Sequence, residues 1–325
     1  MEPVTVPGHG SGTLDQLLDD PFPRMLMVQT TSRCNSSCVF CPHTRFRGAL
    51  PRGEMVPELF LRLMAEAGHH AVSCINLFLM NEPLMDRELV RRIFLARRFN
   101  PRAQVSLWTN GVALEAPLAR QLLDSPLSSI GFSLHAHHPE TYRRLTGRRD
   151  FDRVLRQVVH FVEQRNARRP EMTVVLRYVS ANSMSAGEQE ALQAFWADGA
   201  VVLDIDPGHL SRAGNLPAPG APAAPHRRMA GCQALGGPKQ AHILFTGQVV
   251  LCCMDYGHLT SLGNCATHTL QEIWTGPERR VALEMLYGRR PAAPDFLCRR
   301  CELAIAGHTT CVTPDPPDDS VWAAA

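Results

Sequence analysis

The chain lacks any apolar run approaching the roughly 20 residues needed to cross a bilayer. Its amino terminus, Met1-Glu2-Pro3-Val4-Thr5-Val6-Pro7-Gly8, has neither the basic start nor the apolar stretch of a secretion signal. Membrane-spanning and exported classes are not expected, and the sequence reads as cytoplasmic. An excess of one charge is also missing: 33 Lys and Arg against 31 Asp and Glu leave a formal net charge of +2. That balance gives no electrostatic footprint for nucleic acid. Arginine pairs recur at Arg91-Arg92, Arg143-Arg144, Arg148-Arg149 and Arg299-Arg300, and they read as solvated helix faces. What the chain does hold is cysteine, 11 of them. Without an export signal these are expected to bind metal or stay reduced rather than pair.

Three of the cysteines crowd into Thr31-Ser32-Arg33-Cys34-Asn35-Ser36-Ser37-Cys38-Val39-Phe40-Cys41-Pro42, with three residues inside the first pair and two inside the second. That spacing lets one short loop wrap three thiolates around one face of a cubane iron–sulfur cluster. A four-iron cluster is usually held by four cysteines. A local set of three leaves one iron open, and an open metal position marks chemistry rather than structure. A structural zinc site is the plain alternative; it wants a fourth nearby ligand, which His43 could supply. The spacing, with aromatic Phe40 just before the third cysteine, resembles the signature of the radical S-adenosylmethionine (radical SAM) superfamily.

That resemblance implies an α/β fold, a partial (β/α)6 TIM-like barrel with the cluster loop after its first strand. Met25 to Thr30 reads as that strand. Pro57 to Ala67 reads as a helix, with Pro57 in its first turn, Gly68 as its stop, and Leu59, Phe60, Leu63, Met64 and Ala67 on one face. A strand from Val72 to Leu79 ends in Met80-Asn81-Glu82-Pro83. The superfamily carries a Gly-Gly-Glu-type motif there, and Glu82 is the implied contact for the SAM amino group; Met80-Asn81 stands where two glycines are expected. Further strands are expected at Val105 to Gly111, Ser129 to His135, Thr173 to Val179 and Ala200 to Asp206. Phe151, Val154, Leu155, Val158, Val159 and Val162 form a helical stripe that belongs to the core. Active sites of parallel barrels lie at the carboxyl ends of strands. The implied cofactor contacts are therefore Glu82, Asn110, Ser133 and Arg177, the last pairing with the SAM carboxylate. Substrate contacts are expected from His135, His138, Asp206, His209 and Asp255.

Beyond Leu216 to Pro225, whose four prolines read as a linker, the cysteine pattern changes. A Gly-x-x-x-x-Cys hairpin (Gly247, Cys252), a Gly-Asn-x-x-x-x-x-Leu-x-x-Ile-Trp stretch (Gly263 to Trp274) and Cys298-x-x-Cys301 resemble a small C-terminal SPASM/twitch cluster-binding domain. The expected organisation is an extension over 1–23, the barrel over 24–215, a linker over 216–231, the auxiliary-cluster domain over 232–312 and a tail over 313–325. A full two-cluster SPASM domain has about seven cysteines, and only Cys311 follows the late pair here. Cys232, Cys252, Cys298 and Cys301 are the implied ligands of one auxiliary cluster. Cys74 reads as a small core residue, and Cys253 and Cys265 stay uncommitted.

The implied cofactors are SAM and two 4Fe-4S clusters: Cys34, Cys38 and Cys41 hold one, and the other is auxiliary. The implied partners are a small-molecule substrate and a flavodoxin- or ferredoxin-type electron donor, with no nucleic acid and no membrane. In such enzymes a 5'-deoxyadenosyl radical takes a hydrogen atom from an unactivated carbon. If a thiol returns one from the opposite face, the outcome is epimerisation, with Cys253 or Cys265 as donor. If the substrate radical instead loses an electron, a secondary alcohol becomes a ketone. Peptide maturation is a third reading; the short stretch before the first strand argues against a peptide-binding module. The small-molecule epimerase, acting on a sugar or aminoglycoside-type compound of antibiotic biosynthesis, is the leading expectation.

Overall fold

The computed structural model describes residues 13–179, 185–206, 211–217, 222, 224–234 and 237–307. Strands β1 (Met25–Val28), β2 (Cys74–Asn76), β3 (Gln104–Thr109), β4 (Ser129–Ser133), β5 (Thr173–Val179) and β6 (Val202–Asp206) lie side by side in that order, all parallel. Between them run the helices Pro57–Ala67, Leu89–Phe99, Ala116–Asp124, Phe151–Arg168 and Ala186–Phe195. Helix Pro57–Ala67 has the expected bounds: Pro57 opens it, Gly68 caps it, and the expected apolar face is buried. β2 is shorter than expected, because the chain leaves the ladder after Asn76 and enters the 3-10 turn Pro83–Met85.

Side chains alternate across the sheet. Leu26, Ile75, Val105, Leu107, Ile130, Phe132, Val174 and Leu176 are buried in one core with helix residues Leu63, Ile93, Leu122 and Val158. Their neighbours Met27, Asn76, Ser106, Trp108, Gly131, Ser133 and Arg177 take the opposite face, toward the barrel interior. There Trp108 pairs across β3 and β4 with Gly131. A Cβ on Gly131 would lie 2.4 Å from the indole, so only glycine lets the ring lie flat on β4.

The carboxy-terminal strands are β7 (Met229–Cys232), β8 (Gln240–Ile243), β9 (Gln248–Val250), β10 (Ser261–Asn264) and β11 (Ala304–Ala306). β8 pairs in parallel with β1, and β9 and β10 follow antiparallel, giving one sheet of order β10-β9-β8-β1-β2-β3-β4-β5-β6. The expected hairpin thus continues the barrel sheet at its β1 edge. Its turn is closed by Leu244 N–H on Gln248 O at 2.8 Å, with Gly247 at φ +87°. β7 and β11 form a separate ribbon, and β7 begins inside the stretch expected as linker. Near the other end of the chain, helix Leu14–Asp19, opened by a Thr13 capping box, packs Leu14 and Leu17 on Leu283. Buried Arg279, stacked 3.6 Å from the Trp274 ring, donates to Leu17 O at 3.0 Å and so ties helix Leu14–Asp19 to the carboxy-terminal part.

Gly131→Ala is expected to destabilise the fold by about 1–3 kcal/mol through overpacking, read as a lower denaturation midpoint. An unchanged midpoint would mean that Trp108 does not lie on β4.

Candidate active site

The cluster loop leaves β1 and is pinned from outside. Ser37 N–H and Val39 N–H donate to the carbonyls of Thr146 and Leu145 at 3.1 and 2.9 Å, so the end of helix Pro139–Thr146 serves as its platform. Arg148 donates to Asn35 O at 2.6 Å and Arg47 to Ser36 O at 3.2 Å. Phe40 packs on Leu145 and Cys38. Burial pushes the Cys34 thiol up to about 12, helped by the charges of Glu82 and Cys41. Cys38 is raised for the same first reason, then by Cys41 and Cys34. Three half-buried thiols whose anionic forms are disfavoured by burial and by one another are a donor set that asks for a strongly cationic partner. His43 has its Nε2 3.0 Å from Ser32 O, while its Nδ1 is buried with no partner among the described residues. Among the described residues no three His, Cys, Asp or Glu side chains converge closely enough to hold a single ion. A cubane needs no such convergence, since each thiolate meets its own iron.

Glu82 stands beside this loop, 2% exposed. Its carboxylate accepts from Leu84 N–H at 3.0 Å, Thr109 O–H at 2.6 Å and Asn110 N–H at 2.7 Å. Burial raises its pKa to about 7 against the pull of those donors. Asn110 passes the connection on: its Nδ2 donates to Asn35 Oδ1 at 2.7 Å and Ser36 Oγ at 3.1 Å, and its Oδ1 accepts from Val112 N–H at 2.9 Å. Asn110, expected to touch the cofactor, has its Nδ2 on the cluster loop and its Oδ1 on its own turn. At the same turn Asn81 Nδ2 is buried with no partner among the described residues. An orphaned donor here fits a bound carboxylate, and the sequence reading passed Asn81 over as a mere replacement for glycine.

Inside the barrel, Arg177 is half-buried across from Ser133 and gives Nε and Nη2 to Asp204 Oδ2 at 2.7 and 2.5 Å. Its guanidinium stacks 4.6 Å from the Trp108 ring. From sequence Trp108 is only a strand residue; its role depends on register across strands. His135, at φ +64°, is buried and meets Phe40 edge-on at 4.6 Å, which places it under the cluster loop. His138 is exposed and opens helix Pro139–Thr146. Asp206 closes β6, its backbone paired with Val179. His209 and Cys311 lie outside the described residues. Asp255 is not available to substrate: fully buried, its carboxylate takes Leu259 and Thr260 N–H at 2.8 Å each and closes its own loop.

Cys232, Cys252, Cys298 and Cys301 line one small apolar cavity with Leu251 and Leu297. Burial raises the Cys232, Cys298 and Cys301 thiols, Cys301 to about 12. Buried thiols around a void fit a cluster in the same way as the first set. Cys253 packs with Met27, Leu79, Met80, Leu244 and Val250 on one side, and its sulfur stays within hydrogen-bond reach of Cys252. Beside it lies the imidazole of His242, fully buried. Cys265 is the correction: 2% exposed, it sits in the helix-side core, its carbonyl taking a hydrogen bond from Arg62, and does not join the site. Cys74 starts β2, half-buried, its Sγ 3.7 Å from Ser106 Oγ.

A parallel partial barrel with a three-thiol loop at its mouth and a four-thiol cavity behind defines a class, an enzyme built to use SAM at an iron–sulfur cluster. Residues 28–174 match the family model of the radical SAM superfamily, and residues 232–302 match that of SPASM, an iron–sulfur cluster-binding domain. The chain belongs to the radical SAM superfamily and carries a SPASM domain, and its cofactors are SAM and two iron–sulfur clusters. A probable GTP 3',8-cyclase of Thermococcus kodakarensis is 29% identical over 151 residues, 46% of this chain and 47% of that protein. One from Methanosarcina mazei is 33% identical over 140 residues, 41% and 40% of the two chains. The chain thus spans less than half the length of these curated relatives. Among solved structures, BtrN in complex with AdoMet and 2-DOIA superposes with TM-score 0.57 at 20% identity, covering 87% of this chain and 93% of that one. Streptococcus suis SuiB bound to precursor peptide SuiA gives 0.64 at 14%, covering 89% and 72%. These likenesses establish the fold. Among the described residues no helix is long and apolar enough to cross a membrane.

After anaerobic reconstitution two clusters correspond to about eight irons per chain. Replacing Cys34, Cys38 and Cys41 together by alanine is expected to leave about four irons and to abolish reductive SAM cleavage. Residual cleavage under dithionite would place the site cluster elsewhere.

Proposed function

We propose that the enzyme epimerises a carbon centre of a small polar natural product, a sugar or aminoglycoside-type molecule, with Cys253 as the hydrogen-atom donor. When bound, the site cluster and SAM supply the radical that removes the first hydrogen atom. The observation that carries the reading is the packing of Cys253. It adjoins Cys252 of the four-cysteine cavity yet packs with Met27, Leu79 and Met80 at the carboxyl ends of β1 and β2. Cys252 lines the rear cavity and Cys253 touches the apolar group at the barrel mouth, so one turn can serve a metal centre with one thiol and a substrate with the next.

On this reading the Cys253 S–H bond breaks as the new C–H bond forms on the opposite face of the carbon. The sulfur radical left behind returns to thiol by taking one electron from the flavodoxin- or ferredoxin-type donor and one proton. The chain's work is orientation and exclusion of water. Glu82 and Arg177 are proposed to hold the charged methionine end of SAM, with Asn81 as an added donor to its carboxylate. Ser133 at the end of β4, His138 at the start of the next helix and Asp206 at the end of β6 are the proposed contacts for substrate hydroxyls and amines.

The test is anaerobic turnover in deuterated water with a panel of aminoglycosides and free sugars, because a thiol hydrogen exchanges with solvent. Wild type is expected to give inverted product with one deuterium at the inverted carbon. Cys253→Ala is expected to keep both clusters and SAM cleavage but lose inverted product, while Cys265→Ala keeps it. A ketone without deuterium would replace this reading by alcohol dehydrogenation, and activity on peptides alone by maturation.

A further inference from the structure

We infer that Tyr256 is a positioning residue for the SAM-binding cluster: its phenol donates a hydrogen bond to the Cys41 sulfur and makes that cluster easier to reduce. The phenol oxygen lies 3.6 Å from Cys41 Sγ, across 215 positions of sequence. In the metal-free chain either atom can donate. Once Cys41 binds iron it is a thiolate with no proton to give, so the phenol must be the donor. A hydrogen bond to a ligand sulfur withdraws electron density from the cluster, and such bonds are among the determinants of its potential.

Tyr256 is held for this contact from both sides. Its ring packs against the apolar group of Met27, Leu79, Met80, Leu244 and Val250. The backbone is fixed as well: Asp255 N–H donates to Cys252 O at 3.0 Å and Tyr256 N–H to Met254 O at 2.9 Å. The Asp255 carboxylate closes the next turn on Leu259 and Thr260. Four residues after Cys252, which lines the auxiliary cavity, the same loop therefore reaches the other centre. The inference rests on Cys41 being a ligand of the site cluster, and not on the substrate or on the thiol donor.

The experiment is an EPR-monitored redox titration of the anaerobically reconstituted wild type and Tyr256→Phe, which keeps the ring and removes only the donor. The site cluster of the variant is expected to show an about tenfold lower ratio of reduced to oxidised form at a fixed potential, ~59 mV for one electron. The auxiliary cluster should be unmoved. An unchanged site potential with both clusters intact would overturn the inference, and so would equal shifts of the two clusters. A second measurement needs no variant. After exchange into deuterated water, the reduced site cluster of the wild type should show a hyperfine coupling to an exchangeable deuteron at the Cys41 sulfur. Its absence would overturn the inference even if Tyr256→Phe failed to assemble.

Discussion

A buried carboxylate at the end of β2 holds together the parts from which the site is made. Glu82 joins the turn after β2, through Leu84 N–H, to the end of β3, through Thr109 and Asn110. Asn110 carries the link to Asn35 and Ser36 of the cluster loop. Without the acid, three donors would lose their partner in dry surroundings, at about 1–3 kcal/mol for each buried group left unsatisfied. The residues before it need not be glycine here, because Asn81 Oδ1 accepts from Leu79 N–H at 3.0 Å and Met80 fills the apolar group beside Cys253. Burial alone would favour the neutral acid, and the three donors oppose it; the result is a group near its midpoint at neutral pH. A cation arriving beside it would tip it to the carboxylate.

The carboxy-terminal part is joined to the barrel more closely than a hinged appendage would be. β8 adds to the free edge of β1, the strand that launches the cluster loop. The loop from Cys252 to Tyr256 then lies where the two parts meet. It offers Cys252 to the rear cavity, Cys253 to the apolar group at the barrel mouth and Tyr256 to Cys41. Three neighbouring residues face three surroundings because the chain there is a tight turn fixed by the buried Asp255.

Much of this was legible in the sequence. The cysteine spacings, helix Pro57–Ala67, β5 and the Thr246-Gly247 turn follow from local chemistry: metal-ligand geometry, a proline start, alternation and a positive φ. What local chemistry does not carry is register and pairing. Trp108 and Gly131 are ordinary strand residues until β3 and β4 are aligned. Asp255 reads as an exposed loop acid, and only the folded turn reveals the two backbone N–H groups that consume it. Cys265 follows a Gly-Asn pair that suggests an open loop, yet the bend of β10 buries it against helix Pro57–Ala67. Asn110 was recognised by its motif, while its work of positioning the cluster loop depends on contacts 74 and 75 residues away.

The central claim is that Glu82 converts a strand end and a cysteine loop into one SAM site. Its most direct test is the EPR spectrum of the reduced site cluster with and without SAM, in wild type and Glu82→Gln. Glutamine can still accept from Leu84 and Thr109, but it sets an amide N–H against Asn110 N–H. With both clusters retained, SAM is expected to change the wild-type spectrum and to leave that of the variant unchanged. A full SAM response in Glu82→Gln would contradict the account.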